Sequence, residues 1–152
     1  DICPTQAFVA PWVLDARKCI SYLTIEFDGV IPEALRRAMG NRIYGCDDCQ
    51  LVCPWNKFAA QTREPDFAPR HQLDSITLAT CFGWDEATFL ARTEGSAIRR
   101  IGYSQWRRNV AIALGNADTS DAVVQALQSA VDDPSAVVRE HVLWALAQHT
   151  QR

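Results

Sequence analysis

The chain has 152 residues, 48% of them hydrophobic and 22% charged, and its 15 basic against 18 acidic side chains leave a formal net charge of −3. These proportions exclude a disordered or collagen-like chain, and no apolar run approaches the roughly 18 residues that cross a bilayer. The opening Asp1-Ile2-Cys3-Pro4 has neither a basic start nor an apolar stretch after it, so no signal peptide is expected. The missing initial Met points to a fragment. Weak acidity does not advertise nucleic-acid binding, although a local basic face is compatible with it. Of the six cysteines, five lie before residue 54. Clustered thiols without an export signal point to metal in a reducing, cytoplasmic compartment rather than to disulfides.

In chain order, the apolar-rich Cys19–Phe27 stretch fits a strand or a short helix about equally. Pro32 and the following Glu33–Met39 read as a helix that Gly40 stops. Gly45 opens the cysteine loop. Residues 61–72, polar and carrying Pro65 and Pro69, form a connector, and beyond it the pattern is helical. Asp85 caps a helix through Phe89 and Leu90, and Trp106, Val110, Ala113 and Leu114 share helical spacing that ends at Gly115. Another helix starts at Ser120 or Asp121. Asp132-Asp133-Pro134-Ser135 breaks the chain before a last helix carrying Val138, Val142 and Leu146. Short Asp/Pro/Ser turns between such helices resemble HEAT-type repeats, though one and a half units support a general helix pair more firmly.

The chemistry lies in the cysteines. Cys46-x2-Cys49-x3-Cys53-Pro54 matches the closing half of the bacterial ferredoxin run, whose final cysteine crosses to a second cluster. Cys3-Pro4 has the same ending. Cys3, Cys19, Cys46 and Cys49 make one set of four for a cubane, leaving Cys53 to join three thiolates absent from this sequence. Structural zinc on four cysteines is an alternative, as are plain core thiols. Cys81 stands alone between Thr80 and Phe82 and reads as a small buried hydrophobe. The expected fold is mainly α: a ferredoxin-like double-cubane cluster module at 1–60, the connector at 61–72, and a HEAT-like α-helical repeat domain at 73–152.

The segments Cys3–Phe8, Leu14–Glu26 and Gly40–Asn56, together with Gly95–Arg100 and Trp106–Asn109, closely resemble the epoxyqueuosine reductase family. The resemblance implies a cobalamin-dependent enzyme with two 4Fe–4S clusters that reduces epoxyqueuosine in the tRNA anticodon loop, of which this chain is the C-terminal portion. It implies Cys3, Cys19, Cys46 and Cys49 on the cluster nearer the corrinoid and Cys53 on the outer one. No catalytic residue is expected in the fragment, which should not turn over alone. Ser21, Thr24 and Tyr44 would line the cobalamin, or else satisfy backbone groups of the cluster loops. A reduced electron-donor protein would be a further partner, and the protein would be a monomer with no membrane contact.

Arg99, Arg100, Arg107 and Arg108, with Tyr103 and Trp106 interleaved, are candidates for tRNA contact, since Arg among aromatics suits phosphates and bases. Their bland reading is a solvated helix face with Trp106 in the core. Arg36, Arg37 and Arg42 form a second, weaker group. His71, His141 and His149 have no acidic or cysteine partner at ligand spacing and read as surface or capping residues. Asp47-Asp48 reads as a turn element. A stand-alone ferredoxin-like carrier and a zinc-bearing helical interaction module remain as alternatives.

Overall fold

In the computed structural model, residues 2–150 are described, and among them the fold is mainly helical. A small antiparallel hairpin, β1 (Phe8–Ala10) and β2 (Val13–Leu14), opens the chain. The sequence pattern gave no sign of it. Its turn holds Trp12 at a positive φ of 66° with the indole fully in solvent. The ambiguous stretch after it is a helix, α1 (Ile20–Ile25), which begins at Cys19 and buries Ile20, Leu23 and Thr24. Helix wins because those three positions fall on one face of a 3.6-residue period, whereas an alternating strand would split them.

Helix α2 (Glu33–Met39) follows Pro32 and ends at Gly40, whose φ of 59° is a left-handed value that suits glycine. A single-turn helix α3 (Asp48–Leu51) carries Cys49, and a 3₁₀ turn at Pro54–Phe58 follows Cys53. The connector is exposed throughout residues 61–72, with one 3₁₀ turn at Pro65–Phe67. Helices α4 (Leu78–Phe82) and α5 (Glu86–Arg92) each start at a side-chain cap, Thr77 accepting from the Thr80 amide and Asp85 from the Thr88 amide. Three longer helices complete the chain: α6 (Gly102–Asn116), α7 (Asp121–Gln128) and α8 (Ala136–Thr150). Ser120 caps α7, as the sequence suggests.

Gly115 does not stop α6, which runs on to Asn116. Its role is clearance. A Cβ there would lie 2.6 Å from the Trp144 ring and 2.9 Å from Ala145 on α8, so the missing side chain lets the two long helices touch. Trp106, Val110, Ile112 and Leu114 bury completely along α6, with Trp106 stacked on Trp84, as expected for the core.

The cysteine module and the helical half share one core. Ile20, Leu23, Ile31 and Met39 belong to the same buried cluster as Phe82, Phe89, Trp106 and Val142. Polar ties reinforce it, because short helices leave their last carbonyls without partners. Arg108 of α6 donates to Leu23 O at 2.8 Å, Phe27 O at 2.6 Å and Gly29 O at 3.0 Å, and Asn109 donates to Thr24 O at 2.9 Å. Asn116 does the same for α2, donating to Arg36 O and Gly40 O. So α6 is a spine whose side chains cap the ends of α1 and α2.

These ties correct several expectations. Arg108 is fully buried, so it cannot meet a phosphate; burial lowers its pKa to about 10 against the opposing charge of Asp28, which leaves it cationic near neutrality. Arg107 is mostly covered, pairing with Asp133 at 3.0 Å and lying over the Phe82 ring. Arg36 is buried against Ile31 O and Glu140, and Arg42 pairs with Asp48 at 2.7 Å, so the second basic group is scaffold as well; only Arg37 of the three is exposed. His141 is no surface residue either: it is buried, its Nε2 accepts the Ile31 amide at 3.1 Å and its Nδ1 lies 2.6 Å from Val137 O. His149 of α8 reaches the end of α6, with Nε2 3.0 Å from Leu114 O.

Candidate metal centre

Cys3 follows the start of the described chain, Cys19 is the residue before α1, Cys46 follows Gly45, and Cys49 lies on α3. Distant in sequence, these four line one cavity of about 60 Å³, walled by Pro4, Ala7, Phe8, Leu14, Ile20 and Asp48. Cys53 does not line it. All six thiols are free.

Apart from Asp48, whose carboxylate is paired with Arg42, the wall is apolar, which disfavours water and suits sulfur donors. Two features of the loops prepare the sulfurs. Gln6 takes a left-handed φ of 51° and its amide bonds to Cys3 O at 3.1 Å, closing a tight turn. The turn brings the Ala7 amide to 3.3 Å from Cys3 Sγ and the Thr5 hydroxyl to 3.6 Å. Burial opposes ionisation of Cys3, but these donors and the amides of Thr5 and Gln6 outweigh it and hold the thiol below its usual pKa. At Cys46 the balance reverses: burial, with the charges of Asp48 and Cys19, raises the pKa against the Asp48 amide and Arg42. Thiolates crowded around one hollow repel each other, and a cationic core between them relieves that repulsion.

The donor set fits a 4Fe–4S cluster. Four thiolates are its usual complement, and here they surround a void rather than a point. Among the described residues no three His, Cys, Asp or Glu side chains are grouped to hold a single metal ion. Asp47 accepts from Gln50 Nε2 at 3.0 Å and Asp48 pairs with Arg42, so both acidic residues serve the loop, as the turn reading had it. Cys81 is the expected lone core thiol, its pKa pushed up to about 11 by burial against the weaker pull of Arg92.

The remaining candidates separate. Thr24 is fully buried and its hydroxyl is committed twice, donating to Ile20 O at 2.8 Å and accepting from the Gly45 amide at 2.9 Å. It therefore serves the cysteine loops and is corrected from the cofactor-lining set. Tyr44 donates to Ala97 O at 3.1 Å and, like Ser21, is half-buried. Arg99 and Arg100 stay exposed, Arg100 pairing with Glu26. Sequence reading missed Asn109, Asn116 and Gln105, whose amides reach carbonyls more than 65 positions away. No local pattern signals such long-range bonds.

Residues 1–56 match the family of 4Fe–4S double cluster binding domains, which places the front of the chain in a class that carries paired cubanes. Whole-chain comparison is more specific. The chain is 65% identical over 149 residues to an epoxyqueuosine reductase of Xanthomonas campestris, covering 98% of this chain and 42% of that protein. It is 59% identical to the Pseudomonas aeruginosa epoxyqueuosine reductase and 55% to that of Escherichia coli, over 41% and 40% of their lengths. Along nearly its whole length the chain is similar to epoxyqueuosine reductases, and it spans about two fifths of the length of these relatives. Its fold agrees, superposing on the epoxyqueuosine reductase of Bacillus subtilis with a TM-score of 0.88 at 31% identity, over 98% of this chain and 40% of that one. A crystal structure of epoxyqueuosine reductase with an epoxyqueuosine-modified tRNA-Tyr stem loop matches with a TM-score of 0.87, at the same identity and coverage.

Proposed function

We propose that this chain is the electron-relay and tRNA-contacting portion of an epoxyqueuosine reductase, carrying electrons through 4Fe–4S clusters toward cobalamin for the reduction of epoxyqueuosine to queuosine in tRNA. The observation that carries this reading is the meeting of Cys3, Cys19, Cys46 and Cys49 on one apolar cavity while Cys53 lies outside it. A cubane bound there supplies one-electron storage and transfer, its potential tuned by burial and by hydrogen bonds to sulfur. The chain's own contribution is to hold the four sulfurs apart in a dry, apolar cradle. Cys53 would serve the second cluster with thiolates from beyond this sequence.

For cobalamin the fit is confined to an edge. Ser21 and Tyr44 keep accessible surface beside the cysteine loops, and a hollow of about 330 Å³ lined by residues 41–48 opens next to Cys46. These groups border a large cofactor rather than enclose it, so its binding rests with the remaining length of the family's chains. On the helical side, exposed Arg99 and Arg100 are the residues that would meet tRNA phosphates. The HEAT-like description of α6, α7 and α8, the division into modules at 61–72, an electron-donor protein and a monomeric cytoplasmic enzyme belong to the same proposal. Among the described residues no helix is long and apolar enough to cross a membrane.

Anaerobic reconstitution tests the reading: about four iron and four sulfide per chain are expected, with salt-sensitive affinity for an epoxyqueuosine-modified stem loop. Uptake of stoichiometric zinc without sulfide, or no retained metal, would refute the cluster. Stem-loop affinity unchanged by salt would refute the phosphate contacts.

A further inference from the structure

The two stretches that bring Cys19 and Cys46 to the cavity are fastened to each other at one place. Thr24 lies on α1, five residues after Cys19. Its hydroxyl accepts the amide of Gly45, the residue before Cys46. Asn109 of α6 then clamps the same two stretches from below, one Nδ2 donating to Thr24 O and to Ile43 O, both at 2.9 Å. Asn109 is itself held, because its Oδ1 accepts from Arg108 Nε at 3.0 Å and Nη2 at 2.9 Å. All three side chains are fully buried, and Gly45 takes a left-handed φ of 74° where the loop turns toward Cys46.

We propose that Thr24 and Asn109 are positioning residues for the cubane: they fix the spacing of Cys19 and Cys46 before metal arrives and keep the Gly45 amide engaged. This rests on the cluster reading above. Two consequences follow from the bonds themselves. Pre-set ligands lose less freedom on binding, so the brace raises cluster affinity over and above chain stability. An amide released beside a cubane also becomes free to donate to its sulfurs, which changes the electronics of the cluster.

The test uses this chain with Thr24→Val, which removes the acceptor at nearly constant volume, and Thr24→Ser, which keeps the hydroxyl. Each is reconstituted anaerobically with iron and sulfide, and three quantities are read: the electron paramagnetic resonance signature of the reduced cluster, the rate of iron loss to a chelator, and the urea midpoint of the metal-free chain. Loss of one buried hydrogen bond predicts roughly fivefold to tenfold faster iron release for Thr24→Val. Its reduced-cluster spectrum should also shift. Thr24→Ser should restore the parent rate and spectrum. Parent-like spectrum and release in Thr24→Val overturn the proposal, and so does faster release fully matched by weakened metal-free stability, which shows a merely structural bond. If Thr24→Val does not fold, Thr24→Ala reads the same contrast against Thr24→Ser. Failure of the parent chain itself to take up iron and sulfide would show a different fault, in the cluster reading, and would remove this proposal with it.

Discussion

Two pairs of arginines, seven residues apart at their nearer ends, have opposite surroundings. Arg99 and Arg100 lie on the 3₁₀ turn before α6 and face solvent. Arg107 and Arg108 lie within α6, where one is pinned to Asp133 and the other is sealed among backbone carbonyls. The difference is set by what the helix touches. From Arg108 to Gly115 every residue of α6 is buried, because α2, α4, α5, α7 and α8 pack around it and the carbonyls of α1 bond to it. A cation there has to be satisfied, and the open carbonyl ends of α1 and the loop to Gly29 satisfy it. Composition alone cannot separate the two pairs, since both are Arg-Arg beside aromatics. What separates them is whether three-dimensional neighbours supply acceptors.

The largest expected effect therefore belongs to the buried pair. Arg108→Met leaves the carbonyls of Leu23 and Gly29 without a donor, Phe27 O keeping only Gln105 Nε2, and should cost about 3 kcal/mol or more in urea unfolding. If Arg108 were a tRNA contact, the same change would leave stability intact and weaken only stem-loop binding. Next comes His141. Its pKa is lowered to about 4, first by burial, which the bond to Val137 O opposes, with Arg36 and Arg108 adding to the lowering and Glu140 opposing it. The unfolded chain takes up that proton near pH 6.5 and the folded chain does not, so stability is full above 6.5 and falls as pH drops toward 4. The loss should approach roughly 3 kcal/mol, and His141→Gln should flatten that part of the pH–stability curve.

The exposed pair sharpens the contrast from the other side. Replacing both Arg99 and Arg100 by Gln should leave the unfolding free energy in urea within about 0.5 kcal/mol of the parent. It should weaken stem-loop binding and reduce the salt slope by up to about 2. An unchanged slope would remove these residues from the interface. On stability alone, below Arg108→Met and above the exposed pair, Gly115→Ala places a methyl against Trp144 and Ala145, and the helices should separate at a cost of about 1–3 kcal/mol in local rather than cluster properties.

Much of this molecule could be read from its residues. The caps at Asp85 and Ser120, the stop at Gly40, the connector and the core role of Trp106 are local signals that the fold respects. For the cysteines, spacing set Cys53 apart from Cys46 and Cys49, while Cys3 and Cys19 joined the set through the count of thiolates and the family resemblance. The failures have one physical origin. Thr24, Arg108, Asn109 and His141 are polar residues whose partners lie on distant segments, and a sequence does not show a carbonyl left open by the end of another helix. The β1–β2 hairpin was missed for a different reason: its strands are two or three residues long and exposed, so neither alternation nor a burial pattern marks them.

The central claim is that four particular sulfurs share one cluster and a fifth does not. Iron and sulfide content after anaerobic reconstitution of Cys19→Ser and Cys53→Ser, measured beside the parent chain, addresses it directly. Cys53→Ser should keep about four iron and four sulfide per chain, whereas Cys19→Ser should lose the cluster or hold an incomplete one. Equal loss in both variants, or a full cluster in Cys19→Ser, would contradict it.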